Sequence, residues 1–124
     1  MGLDMYIQME GETVADWRKS NQIHSWFVRR FPDLENCKDV VITKNDILAL
    51  AGDISMCINE VIEIGYPGVE CKTRLPTMSG FFFGPTDYDY WYVEDLFESL
   101  KKVTKCAYMM TKSPDAKFTY IAWW

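Results

Sequence analysis

The residues best equipped for chemistry lie between Trp17 and His24, where Arg18, Lys19, Asn21 and His24 bring two cations, an amide and the chain's one histidine together. Such a set near a helix start suits an anion, because guanidinium groups and free helix amides both bind phosphate or carboxylate. The plainer role for Arg18 and Lys19 is a solvated face. For Asn21 and His24 it is a pair of core polar groups with partners, since a buried group without one costs about 1–3 kcal/mol. One histidine without a matched serine or cysteine motif is thin ground for catalysis, and no catalytic residue is assigned.

A second concentration is aromatic: Phe81, Phe82, Phe83, Tyr88, Tyr90, Trp91 and Tyr92 fall within twelve consecutive residues. A core needs only some of these rings. At helical spacing Trp91 and Asp95 lie opposite Leu96 and Leu100, which places Trp91 on a polar side or beneath another element. Exposed rings of this kind stack on bases or anchor protein interfaces. The plainer role is packing against Trp123 and Trp124. Asp87, Asp89, Glu94 and Asp95 supply carboxylates nearby, but their spacing matches no EF-hand, and helix capping explains them better than a metal does. Gly80 and Gly84 flank the phenylalanines without forming a phosphate-binding glycine loop. Neither a metal nor a cofactor is expected.

These groups must be held by a fold, and the pattern predicts a single α+β domain over residues 1–124, with three amphipathic helices on a small antiparallel or mixed sheet of about three strands. Leu3 to Met9 reads as a first strand, ended at Gly11. A helix is expected after Thr13, running to about Arg30 and stopped by Phe31-Pro32. Thr43 and Asp46 resemble a capping box opening a second helix, Lys44 to Glu63, with Ile47, Leu50, Ile54, Cys57, Ile58 and Ile62 on one side. Phe81 to Phe83 fits a short buried strand. Thr86 or Asp87 would cap a third helix from Tyr88 to Met110, and Phe118 to Trp124 would make a last strand.

Composition sets outer limits. Apolar residues make up 48% and aromatics 15% of the 124, far from the composition of a disordered chain. A net charge of −5 argues against non-specific binding to nucleic acid or anionic lipid. The opening residues show no basic-then-apolar leader, and no stretch is long enough to cross a bilayer, so a cytoplasmic protein is expected. Cys37, Cys57, Cys71 and Cys106 form no CxxC pair and are expected as free thiols.

The string Met1-Gly2-Leu3-Asp4-Met5-Tyr6, the segment Trp17-Arg18-Lys19 with Asn21, Ile23, His24 and Trp26-Phe27, and the run Ser79-Gly80-Phe81-Phe82-Phe83-Gly84 with Asp87-Tyr88, Trp91-Tyr92 and Glu94-Asp95 together resemble a family of small proteins carried by phages and prophages. The resemblance covers the two ends and the aromatic segment; residues 33 to 75 share only partial helical character. It implies an accessory protein acting in the host cytosol against bacterial immunity, by sequestering a nucleotide signal or by binding a defence protein.

Three functional readings are open. In the first, the chain binds a nucleotide-derived small molecule without turnover, with phosphate on Arg18 and Lys19, polar readout by Asn21 and His24, and a base on Tyr88, Tyr90 or Trp91. In the second, it inhibits a host defence protein, of CRISPR or other type, through an aromatic and acidic surface at Asp87, Trp91 and Asp95. In the third, His24 acts as a general base with Asp87 or Asp95 in an enzyme that degrades a signal. Self-association is left open. All three require the leading helix to face the ring-rich turn across an open cleft.

Overall fold

The computed structural model describes residues 2–124. Its elements are β1 (Asp4–Met9), β2 (Glu12–Arg18), α1 (Asn21–Arg30), β3 (Val40–Ile42), α2 (Lys44–Ile64), α3 (Val69–Arg74), α4 (Tyr90–Lys112) and β4 (Phe118–Trp123). The class is α+β as expected, but the described residues hold four helices and one four-stranded antiparallel sheet in the order β2-β1-β4-β3.

The expected helix from Thr13 to Arg30 is a correction. Its first third is strand β2, joined to β1 by a two-residue turn in which Glu10 and Gly11 both have positive φ, 49° and 85°. That geometry matches the right-handed twist of the flanking strands, and Gly11 adopts it freely. Within β2, Ala15 and Trp17 point inward while Asp16 and Arg18 point out, the period of a strand rather than a helix. The true α1 starts only at Asn21, after Lys19 turns the chain with φ 58°.

The inner face of the sheet carries Met5, Ile7, Trp17, Tyr120 and Ala122, all buried. Helix α1 packs there through Phe27, whose ring stacks on Tyr120 at a centroid distance of 3.7 Å. Helix α2 has the capping box expected of it: Thr43 Oγ1 accepts from the Asp46 backbone N–H, and the Asp46 carboxylate accepts from the Thr43 N–H. Its buried side is Ile47, Leu50, Ile54, Cys57 and Ile58, whereas Ile62 is exposed. The next residues form α3, too short to carry a periodic signal; the Glu60 carboxylate accepts from the N–H groups of Gly68, Glu70 and Cys71 and so caps its start. Helix α4 packs along α2 and buries Tyr92, Leu96, Ser99, Val103, Cys106 and Met110, leaving Phe97 and Tyr108 in solvent.

The second correction concerns Phe81 to Phe83, which form a turn and no strand. Phe83 N–H donates to Gly80 O at 3.1 Å, Phe82 has φ 60° and Gly84 φ 89°. Only Phe83 is buried; its ring lies over Gly80, where a Cβ would come within 2.8 Å of it. No helix of the described residues is long and apolar enough to cross a membrane.

Candidate functional site

A cleft of about 190 Å³ opens between the end of β2, the loop 75–89 and the first turn of α4. Arg18, Lys19, Ser20 and Gln22 line one side, and Thr77, Pro85, Asp87, Asp89, Trp91 and Asp95 the other. The two separated segments singled out in the sequence therefore meet, with Arg18, Lys19, Asp87, Trp91 and Asp95 in the shared space.

Asn21 and His24 do not join them. Helix α1 begins at Asn21, so Asn21, His24 and Phe27 fall on its inward face at i, i+3 and i+6, and both polar residues are buried. The Asn21 amide is an anchor for the loop: Nδ2 donates to Phe83 O at 3.1 Å and Pro85 O at 2.9 Å, and Oδ1 accepts from Met78 N–H at 3.0 Å. His24 sits among Phe83, Tyr120 and Trp124, with Nδ1 2.7 Å from the Tyr120 hydroxyl and Nε2 buried without a partner among the described residues. Burial lowers its pKa to about 4, which keeps the ring neutral at pH 7. It makes no hydrogen bond to Asp87 or Asp95, so the general-base arrangement is not assembled.

Tyr88 also serves the loop. Its hydroxyl accepts from Thr77 N–H at 3.1 Å, its ring packs on Tyr92, and Lys72 Nζ lies over it at 5.4 Å. Tyr92 in turn donates to Leu75 O at 2.7 Å. Tyr90 stands outside the cleft, edge-on to Trp91 at 5.4 Å.

The floor of the cleft changes the expected electrostatics. Ser20 Oγ and Gln22 Nε2 each donate to Asp95 Oδ2 at 2.6 Å, and Ser99 Oγ approaches the same oxygen at 3.5 Å while accepting from Trp17 Nε1 at 2.9 Å. Burial pushes the Asp95 carboxyl up, and the Ser20 hydroxyl and the Lys102 charge oppose that rise. Asp95 thus places a carboxylate at the start of α1, where the sequence leads one to expect a ligand anion. The start of α4 is likewise occupied, since Asp89 Oδ1 accepts from the N–H groups of Trp91 and Tyr92. The start of α4 is thus capped by a carboxylate of this chain, and another lies beside the start of α1, bonded to the side chains of Ser20 and Gln22.

Of the exposed rings in these segments Trp91 lines the cleft, while Phe81, Phe82 and Tyr90 lie outside its lining. Phe81, Tyr90 and Trp91 are 78%, 69% and 67% exposed and Phe82 49%, far more than rings of a core. Phe81 and Phe82 meet edge to face at 4.4 Å. Lys19 joins this pair to the cleft: its side chain runs past Gly2 beside Phe82 and lies against Gly84. Lys19 and Phe82 both hold left-handed backbone that costs a non-glycine residue about 1–3 kcal/mol and that the surrounding structure enforces. Ser20, Gln22, Asp89 and the exposed phenylalanines are not among the site residues expected from sequence. Asp89 carries a usable signal, an aspartate immediately before a helical run.

Among the described residues no group of three or more His, Cys, Asp or Glu could hold a metal ion. Cys57, Cys71 and Cys106 are buried free thiols, and burial pushes Cys71 and Cys106 up to about 11. No protein-family model, curated protein or solved structure matches the chain.

Proposed function

We propose that this chain is a non-catalytic binding protein that docks another protein on the face formed by Phe81, Phe82, Tyr90 and Trp91 around the cleft. The observation that carries the reading is the exposure of four large rings, Phe81 and Phe82 on an anchored loop and Tyr90 and Trp91 at the start of α4, with charged groups of both signs beside Trp91. Aromatic anchors of this type supply large contact area at low entropic cost and are enriched among binding hot spots.

Sequestration of a nucleotide-derived signal has weaker support. A cleft of about 190 Å³ is smaller than the roughly 300–1,000 Å³ of ordinary ligand pockets, and Asp87, Asp89 and Asp95 would repel phosphate brought to Arg18 and Lys19. The resemblance to phage and prophage proteins gives the proposed partner its class, a component of a bacterial defence complex in the host cytosol.

A photocrosslinking amino acid placed at Tyr90 tests the reading in cells. It should trap a polypeptide in a discrete band, whereas the same group at exposed Tyr108, far along α4, should not. Equal, diffuse labelling from both positions would end the proposal.

A further inference from the structure

The cleft floor gives the docking face a more definite chemistry, one that depends on a protein partner being the occupant. All three donors to Asp95 converge on Oδ2, and no donor among the described residues engages Oδ1, which is not sealed from solvent. Asp87 and Asp89 stand exposed on the same side, and Asp89 commits only Oδ1 to capping α4. Trp91 closes that side with an exposed ring, the best partner among aromatic residues for a cation. Of the two cations opposite, Arg18 is largely exposed with Nε 3.8 Å from Asp4 Oδ1, and the stem of Lys19 runs along Gly2 and Gly84.

We infer that the cleft receives one cationic side chain of the partner, an arginine, whose guanidinium donates to the carboxylates of Asp95 and Asp87 while stacking on Trp91. A planar fork with several donors fits two carboxylates and a ring face better than a compact ammonium does. The space of about 190 Å³ suits a single side chain, and the chain's net charge of −5 complements a basic partner surface. The three carboxylates outnumber the two cations of the lining, so an anion is the disfavoured occupant.

The test is a titration followed through the Trp91 indole N–H by two-dimensional NMR, with N-acetyl-arginine amide as the probe. N-acetyl-norleucine amide serves as the neutral control and inorganic phosphate as the anionic one. The arginine probe should shift the Trp91 resonance saturably with a Kd in the millimolar range, as expected of a ligand this small. Neither control should do so. Asp95→Asn, which keeps an oxygen toward Ser20 and Gln22 but removes the charge, should weaken the probe at least tenfold without unfolding the chain. Saturable binding of phosphate in place of arginine, no saturation by arginine, or equal affinity in the Asp95→Asn protein would each overturn the inference. If arginine fails while crosslinking from Tyr90 still traps a polypeptide, the docking face stands and the cationic occupant alone is wrong.

Discussion

Replacing Asn21 by alanine separates an anchor from a ligand reader. In the folded chain the Asn21 amide satisfies Phe83 O, Pro85 O and Met78 N–H, three backbone groups of the loop that carries Phe81 and Phe82. Truncation removes three hydrogen bonds whose net worth is about 1 kcal/mol each, and leaves partly buried backbone groups with only intermittent water. The resulting loss is about 3 kcal/mol, which in a domain of this size lowers Tm by roughly 10 °C. The assay is urea denaturation of wild type and variant, with the loss read from the midpoint at constant m-value. Because the loop 77–89 would loosen before the core does, its amides should also exchange faster while those of α2 keep their protection. A loss below about 0.5 kcal/mol, the range of an ordinary surface change, would refute the anchoring role and return Asn21 to the cleft as a contact for ligand.

Other expected outcomes can be checked by equally simple measurements. His24 is neutral in the fold with a pKa of about 4, against 6.5 when unfolded, so the unfolded chain binds the extra proton. Its contribution is fully present above pH 6.5 and is lost as pH falls toward 4, at about 1.4 kcal/mol per unit; His24→Gln should flatten that part of the stability curve, and an unchanged slope would contradict the burial. Glu60→Ala removes the carboxylate that receives three N–H groups at the start of α3 and should cost about 1–2 kcal/mol by chemical denaturation, as other lost caps do. Under native conditions a thiol reagent should label exposed Cys37 quickly and Cys57, Cys71 and Cys106 only on unfolding; rapid labelling of more than one thiol would show that the α2–α4 interface is open.

What could be read from the sequence tracks the length of each signal. Helix α2 shows because a capping box opens a long run of periodic apolar residues, and β1 and β4 show as apolar stretches bounded by turn residues. Strand β3 and helix α3 are three and six residues long, too short for any period to register. The hairpin is hidden because Val14 and Trp17 stand at i, i+3, as they would on a helix face, in what is in fact a strand followed by a left-handed Lys19 and a new helix start. That one boundary accounts for most of the misplaced site. With the helix beginning at Asn21, Arg18 and Lys19 belong to the strand and turn before it; Asn21 and His24 lie in the core, as their place on the apolar side of the expected helix allows, while Ser20 and Gln22 line the cleft. The pairing of Arg18 and Lys19 with Asp87, Trp91 and Asp95 is legible as two anomalies in composition. The bonding of Ser20 and Gln22 to Asp95 is not, since it depends on contacts 75 and 73 residues apart.

The most direct measurement compares affinity capture from bacterial lysate by the wild-type chain and by Trp91→Ala. The ring is 67% exposed, so its loss should leave the thermal midpoint unchanged, while a hot spot worth about 2 kcal/mol or more should weaken a bound polypeptide roughly thirtyfold or more. Recovery of a stoichiometric polypeptide by the wild type and its loss from the equally stable variant is the expected result. Equal recovery by both, or a wild-type chain that carries a nucleotide and no polypeptide, would contradict the account.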